Sequence, residues 1–120
     1  MSRDYRKLRV FEIADGLVLR IYRATNDFPK SERYGIQSQL RRSALSIPTN
    51  IVEGSARRST REYVNFLNIA AGAASEARYL TQVSERLGFL SPTEGAELSS
   101  AYTSVCAQLE SLIQALSPKP

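Results

Sequence analysis

Three arginines crowd one short stretch of this sequence, directly after a Glu-Gly pair. Arg57, Arg58 and Arg61 follow Glu53 and Gly54. Guanidinium groups bind phosphates and carboxylates through paired N–H donors, and a helix start adds free backbone N–H groups. A helix start also carries partial positive charge, so clustered arginines destabilise it unless anions neutralise them. The stretch therefore predicts an anion site, filled by carboxylates of the chain or by a phosphate.

A second arginine pair lies earlier in the chain. Arg41 and Arg42 follow Leu40 and stand about 100° and 200° round a helix from it, so at least one faces away from the core. The candidate nucleic-acid-binding residues are Arg41, Arg42, Arg57, Arg58 and Arg61. We expect contacts to RNA or DNA mainly through phosphates, because no zinc-finger spacing, helix-turn-helix signature or aromatic strand platform is present.

The same arginines have a purely structural interpretation. Glu53 lies four residues before Arg57, which is the spacing of a helical ion pair, and we expect it to order this junction. Copies of the chain could also pair their arginines with Glu53, Glu76 or Glu85 of a neighbour. The alternative function is therefore a structural or protein-interaction scaffold with no nucleic-acid role.

Enzymatic groups are scarce. The chain has no histidine, which removes the most frequent general base and metal ligand. Cys106, the only cysteine, is predicted to pack as a small hydrophobe. A nuclease using Glu53 and Glu76 is a third hypothesis, but the spacings of a di-metal bundle are absent. We predict no catalytic residue, no cofactor and no metal site.

Composition indicates a globular chain with an uneven charge. Of 120 residues, 42% are hydrophobic and 23% are charged, and this size predicts one domain, residues 1–120. Residues 1–62 hold 13 Lys or Arg against 7 Asp or Glu, whereas residues 63–120 hold 3 against 5. No apolar run reaches the roughly 18 residues of a membrane span. With one cysteine and no signal-peptide core, we expect a reducing cytoplasm.

Hydrophobic spacing predicts an all-α fold. Four segments repeat apolar residues with helical period and none alternates as a strand does. The predicted helices are about 5–25, 31–54, 59–87 and 91–116. Short connections make consecutive helices antiparallel, so we expect an up-down-up-down four-helix bundle. Pro48 lies in the second helix and predicts a kink there, because it lacks an N–H and crowds the preceding turn.

Helix ends and apolar stripes refine this picture. Ser59 with Glu62 and Ser91 with Glu94 have the capping-box spacing of helix starts, and Gly88 is typical of a helix stop. The main stripe of the third helix is predicted to comprise Phe66, Ala70, Ala73, Ala77, Leu80 and Leu87. That of the fourth comprises Leu98, Tyr102, Val105, Leu109, Leu112 and Leu116. Tyr63, Leu67, Ala74 and Ile113 flank these stripes, which indicates either a wider core or an oligomer contact.

The centre of the chain resembles a known family. The matching motifs are Tyr34-Gly35-Ile36, Gln39-Leu40-Arg41-Arg42, Ser43-Ala44, Ser46-Ile47-Pro48, Asn50-Ile51, Glu53-Gly54, Arg57-Arg58-Ser59 and Phe66-Leu67-Asn68-Ile69-Ala70, with Gly72 and Glu76. The pattern resembles the bacterial four-helix-bundle proteins encoded within intervening sequences of 23S ribosomal RNA genes, also called S23 ribosomal proteins. These are related to the accessory variability protein of diversity-generating retroelements.

The resemblance implies a four-helix bundle that assembles as a ring-like homopentamer. The retroelement relatives bind nucleic acid and a reverse transcriptase through their basic ring, and the resemblance implies a similar surface here. It supplies no catalytic residues. Family members often have arginine where this chain has Ala71 and an acidic residue where it has Arg78, so the resemblance implies a basic face distributed differently along the third helix.

Overall fold

The computed structural model describes residues 3–117, and within them four α-helices form the protein. These are α1 (Arg9–Thr25), α2 (Ile36–Ser55), α3 (Thr60–Arg86) and α4 (Pro92–Leu116). Short 3-10 helices precede α1 at Tyr5–Lys7 and α2 at Lys30–Glu32, and no strand occurs in the described part of the chain. The all-α prediction is confirmed.

Two side-chain contacts show that α3 and α4 run antiparallel. Gln82 of α3 donates to Ser99 of α4, and Ser75 of α3 lies 3.8 Å from Cys106 of α4. Contacts that advance along one helix while retreating along the other belong to antiparallel neighbours. Each helix touches the next in sequence, and α4 also touches α1, which closes the bundle.

The predicted helix signals at the third and fourth helices are confirmed. The Ser59 hydroxyl accepts a hydrogen bond from the Glu62 backbone N–H at 3.1 Å, and the Ser91 hydroxyl accepts one from that of Glu94 at 3.1 Å. Each cap satisfies a backbone donor that the first helical turn leaves free. Gly88, with φ of 78°, follows the end of α3 in the left-handed region that glycine adopts at low cost.

The first two helices start later than predicted. The segment before α1 is a separate 3-10 turn, because Leu8 is extended and interrupts the helical backbone. The predicted start of the second helix near Ser31 is also wrong, since α2 begins at Ile36. The Glu32 carboxylate accepts from the Ile36 backbone N–H at 3.3 Å, so a residue expected inside the helix caps it from outside.

The residues flanking the predicted stripes belong to the core of the single chain. Tyr63 is 4% exposed, Leu67 and Ala74 are fully buried, and Ile113 is 8% exposed. Phe66 and Leu112, expected in the main stripes, are only partly buried, and Leu87 is 55% exposed. The wider-core interpretation is therefore correct for these flanking residues, because α2 and α4 cover α3 from two sides.

Pro48 lies buried inside α2, and helical structure continues past it to Ser55. Two polar side chains bond to backbone carbonyls of the preceding turn: the Thr49 hydroxyl donates to the Leu45 carbonyl at 2.8 Å, and the Asn50 amide donates to the Ser46 carbonyl at 2.7 Å. Such bonds satisfy carbonyls that a bend would loosen. The kink angle itself stays a prediction.

Candidate nucleic-acid interface

Arg57, Arg58 and Arg61 lie together at the junction of α2 and α3, at one end of the bundle. Residues 56–59 connect the two helices, and Arg57 and Arg58 lie within this connection. Arg61 lies in the first turn of α3, after the Ser59 cap. We define the basic corner as Arg3, Arg57, Arg58 and Arg61. The Ser59 cap brings three of these cations to one helix start, where backbone N–H groups also point outward.

Arg57 is the corner residue with a carboxylate partner. Its guanidinium lies 3.6 Å from the Glu53 carboxylate, with both side chains about half exposed, and it stacks 4.9 Å from the centre of the Phe66 ring. The predicted pairing of Glu53 with one of these arginines is confirmed. Because an exposed pair of this kind contributes little free energy, its main effect is to orient Arg57 across the junction.

Arg58 and Arg61 are exposed and unpaired within the described chain. Across residues 3–117, neither has a carboxylate oxygen within 4.0 Å. The nearby Glu62 carboxylate accepts instead from the Ser59 hydroxyl at 3.0 Å. Two positive charges thus remain in solvent at the positive end of α3, where they lower helix stability unless an anion binds.

Arg3 completes the corner, although the sequence alone did not predict its role. Its guanidinium donates to the Arg57 carbonyl at 3.1 Å and to the Thr60 hydroxyl at 2.9 Å. It also lies 4.8 Å from the centre of the Tyr63 ring. The first arginine of the chain therefore reaches across more than fifty residues of sequence, and no local pattern predicts such a contact.

The pair of Arg41 and Arg42 lies at the opposite end of α2. This helix is about 30 Å long at 1.5 Å per residue, and Arg41 and Arg42 occupy its second turn. The five predicted residues therefore form two groups rather than one site. Arg42 is exposed, whereas Arg41 is half-buried.

Arg41 has a structural role in the described chain. It donates from Nε to the Thr25 hydroxyl at 2.8 Å and from Nη2 to the Tyr22 carbonyl at 3.2 Å. A cation at a helix C-terminus interacts favourably with the partial negative charge there, so Arg41 ties α2 to the end of α1. Its guanidinium also lies 4.6 Å from the centre of the Tyr22 ring.

Arg20 shows what a neutralised arginine looks like in this fold. It forms a two-point contact with Glu94, with both N···O distances 3.2 Å, and also bonds Glu97. These hydrogen bonds, first the one that Arg20 donates to Glu94, raise the pKa of Arg20 above its ordinary value. The Glu94 carboxylate thus bonds Arg20, which joins α1 to α4 instead of facing a ligand.

Metal-ligating side chains do not cluster in the described residues. No cluster of three or more His, Cys, Asp or Glu side chains occurs between residues 3 and 117. A Cβ at Gly54 would lie 2.8 Å from that of Phe66, and Glu76 is ten residues beyond Phe66, or about 15 Å along α3. Glu53 and Glu76 are thus too far apart for the shared metal that the nuclease hypothesis requires.

The fold and the arginine geometry together define an all-α four-helix bundle with an exposed basic corner. The chain belongs to the family described as 23S rRNA-intervening sequence protein, whose family model matches residues 6–111. No curated protein sequence matches it. Of the helices in the described range, none is long and apolar enough to cross a membrane.

A solved structure shares this architecture. A protein with unknown function from the S23 ribosomal protein family of Bacteroides thetaiotaomicron VPI-5482, solved at 1.70 Å resolution, matches with a TM-score of 0.79. The two sequences are 24% identical, and the match covers 88% of this chain and 98% of the other. At this identity the likeness shows a common fold.

Proposed function

We propose that this protein is a non-enzymatic, oligomeric helical module that binds RNA or DNA mainly through phosphate contacts at its arginines. The observation that carries the proposal is the exposure of Arg58 and Arg61 at the start of α3, without a carboxylate within 4.0 Å in residues 3–117. Natural selection of stability alone would favour acidic residues at this position. Their arrangement fits phosphate groups, which take N–H donors from guanidinium forks and helix starts together.

Oligomerisation belongs to the proposal because it multiplies weak contacts. A homopentamer, which the family resemblance implies, would present five copies of the basic corner. Once one copy has bound, the other copies contact the same strand at high effective concentration. Each phosphate that they neutralise releases counterions, which strengthens binding at low salt. The resemblance to the retroelement accessory protein adds a protein partner, such as a reverse transcriptase, on the same assembly.

A salt titration with two matched variants tests the phosphate contacts. Fluorescence anisotropy would measure binding of an RNA hairpin and a DNA duplex at low and physiological salt. Wild-type affinity is expected to fall steeply with salt. Arg61→Ala should weaken both complexes and reduce the log–log salt slope by about 0.9 for each duplex phosphate that the variant no longer neutralises.

Arg86→Ala is the matched control, because Arg86 is exposed in the last turn of the same helix. It removes equal charge about 37 Å away along α3 and should leave binding nearly unchanged. Arg61→Ala should also raise the free energy of unfolding by about 0.3–1 kcal/mol, since it removes a cation from the positive helix end. No wild-type binding at low salt, or equal losses in both variants, would contradict the proposal.

A structural or protein-interaction scaffold is the second candidate function. Exposed apolar side chains favour it, among them Leu19, Leu45 and Ile69, which are 57%, 45% and 53% exposed. In this alternative the arginines pair with carboxylates of neighbouring copies. It predicts an assembly that binds no nucleic acid at any salt concentration.

A further inference from the structure

A second basic site surrounds the connection between α1 and α2. A pocket of about 420 Å³ lies there, lined by Phe28, Lys30, Arg33, Tyr34, Gln37 and Arg41 among others. No carboxylate belongs to its lining. Across residues 3–117, none of its three cations has a carboxylate oxygen within 4.0 Å. The pocket therefore attracts anions.

The carboxylate next to Arg33 in the sequence is already engaged. Glu32 points its Oε1 at the Ile36 backbone N–H, where it caps α2. Arg41 has donated Nε and Nη2 to α1, while its Nη1 has no acceptor among the described residues. Gln37 is held by its own bond to the Thr25 carbonyl at 2.8 Å. Gln37 and Arg41 are thus held in place, and donors remain for a ligand.

An aromatic ring stands at the edge of this pocket. Tyr34 is 87% exposed, more than any other large hydrophobic side chain in the described range. Arg33 lies 5.6 Å from the centre of its ring. Phe28, buried to 6% exposure, forms part of the floor and packs on Phe89 at 5.4 Å between ring centres. The loop is therefore anchored while the Tyr34 ring faces solvent.

We propose that this pocket binds an unpaired nucleotide of a nucleic-acid strand. The base stacks on Tyr34, and the adjoining phosphate lies among Lys30, Arg33 and Arg41. An exposed aromatic ring beside unpaired cations is the combination with which proteins hold single strands, since each base offers a flat face and each phosphate a charge. Bases inside a duplex are stacked on each other and cannot reach the ring.

The inference rests on the proposed function and names the strand state that this end of the molecule recognises. Binding of a fluorescein-labelled oligo(dT) strand, and of the same strand annealed to oligo(dA), would be measured by anisotropy with the full chain. Tyr34→Ala should weaken oligo(dT) binding about tenfold, within the range for one base stacked on an aromatic ring, and leave duplex binding unchanged. Tyr34→Phe keeps the ring and should keep the affinity.

Tyr79→Ala is the matched control, because Tyr79 is also exposed but lies on α3 outside the pocket. It should bind oligo(dT) as the wild type does. Equal oligo(dT) binding by wild type and Tyr34→Ala would overturn the inference, as would an equal loss in the Tyr79 control. If Arg61→Ala still weakens duplex binding in that case, the proposed function stands and the nucleotide pocket fails. If neither probe binds the wild type, both fail.

Photocrosslinking supplies a readout independent of affinity. An oligo(dT) strand carrying 5-iododeoxyuridine, irradiated in complex with the protein, should crosslink to Tyr34, as located by peptide mass spectrometry. Base stacking brings the halogenated carbon against the aromatic ring. Crosslinks confined to other residues would overturn the inference.

Discussion

The role of each arginine in this protein depends on the hydrogen-bond acceptors that lie beside its guanidinium group. Arg20 meets two carboxylates and becomes a link between helices. Arg41 meets carbonyls at the end of α1 and fastens two elements. Arg61 meets neither within the described residues and stays exposed. The same guanidinium is neutralised, structural or available to a ligand according to which acceptors the fold places beside it.

Tyr102 is a polar residue whose surroundings are unfavourable. It is fully buried, and its hydroxyl has no hydrogen-bond partner in residues 3–117. An unpaired buried hydroxyl costs roughly 1–3 kcal/mol. Tyr102→Phe should therefore raise the free energy of unfolding by about 1 kcal/mol, measured by urea denaturation at neutral pH. Tyr79→Phe, at an exposed position, should change it little, and a clear decrease for Tyr102→Phe would show that the hydroxyl is bonded.

The same residue predicts a pH dependence. Burial raises the pKa of Tyr102 above its ordinary value of 10.0, because the ionised phenolate is excluded from the core. In the unfolded chain the phenol ionises once the pH exceeds about 10. The unfolded state is then favoured, so stability falls as pH rises above this value. Tyr102→Phe should lose less stability over that range, and parallel curves for the two proteins would contradict the assignment.

At the scale of elements, Gly54 sets the distance between α2 and α3. It is buried near the end of α2, and a Cβ there would lie 2.8 Å from the Phe66 Cβ and 3.0 Å from Tyr63 Cδ1. The Phe66 Cβ is bonded directly to the α3 backbone, so the helices must separate to admit a methyl group. This contact also positions the basic corner, because Arg57 and Arg58 follow Gly54 by three and four residues.

Gly54→Ala should lower the free energy of unfolding by about 1–3 kcal/mol through overpacking. Gly72→Ala should raise it by about 0.5–1 kcal/mol, because a Cβ there meets nothing within 4 Å and alanine favours the helical backbone. Urea denaturation of both variants checks these opposite signs. Equal effects of one sign would mean that the α2–α3 contact adapts to the added methyl group.

At the scale of the whole molecule, positive charge lies at both ends of the bundle. The basic corner occupies one end, and the pocket around Tyr34 occupies the other, separated by roughly the 30 Å length of α2. A strand that contacts both would run along the α2 side of one chain or pass between copies in an assembly. One nucleic-acid strand could therefore contact both the basic corner and the pocket around Tyr34, although the two do not form a single compact site.

Light scattering is the corresponding measurement on the assembly. The proposed pentamer should give a mass of five copies of the 13.4 kDa chain. If apolar side chains such as Ile69 hold it together, high salt should leave the mass unchanged. If intersubunit arginine pairs hold it together, as the scaffold alternative requires, salt screens them and lowers the mass. If light scattering gives the mass of a single chain at every protein concentration, the proposed multivalent binding is wrong.

Local sequence patterns predicted four helices, the caps at Ser59 and Ser91, the stop at Gly88 and the pairing of Glu53 with a following arginine. Each depends on residues at most a few positions apart, where helix geometry dictates which side chains meet.

The packing of the helices determines which apolar faces are buried and which cations stay free. Tyr63 entered the core because two helices cover α3, and Arg3 joined the corner across the bundle. The Glu94 carboxylate bonds Arg20 of a different helix. Tyr34 became the exposed edge of a basic pocket. These outcomes depend on contacts between residues far apart in the chain, which helical periodicity does not encode.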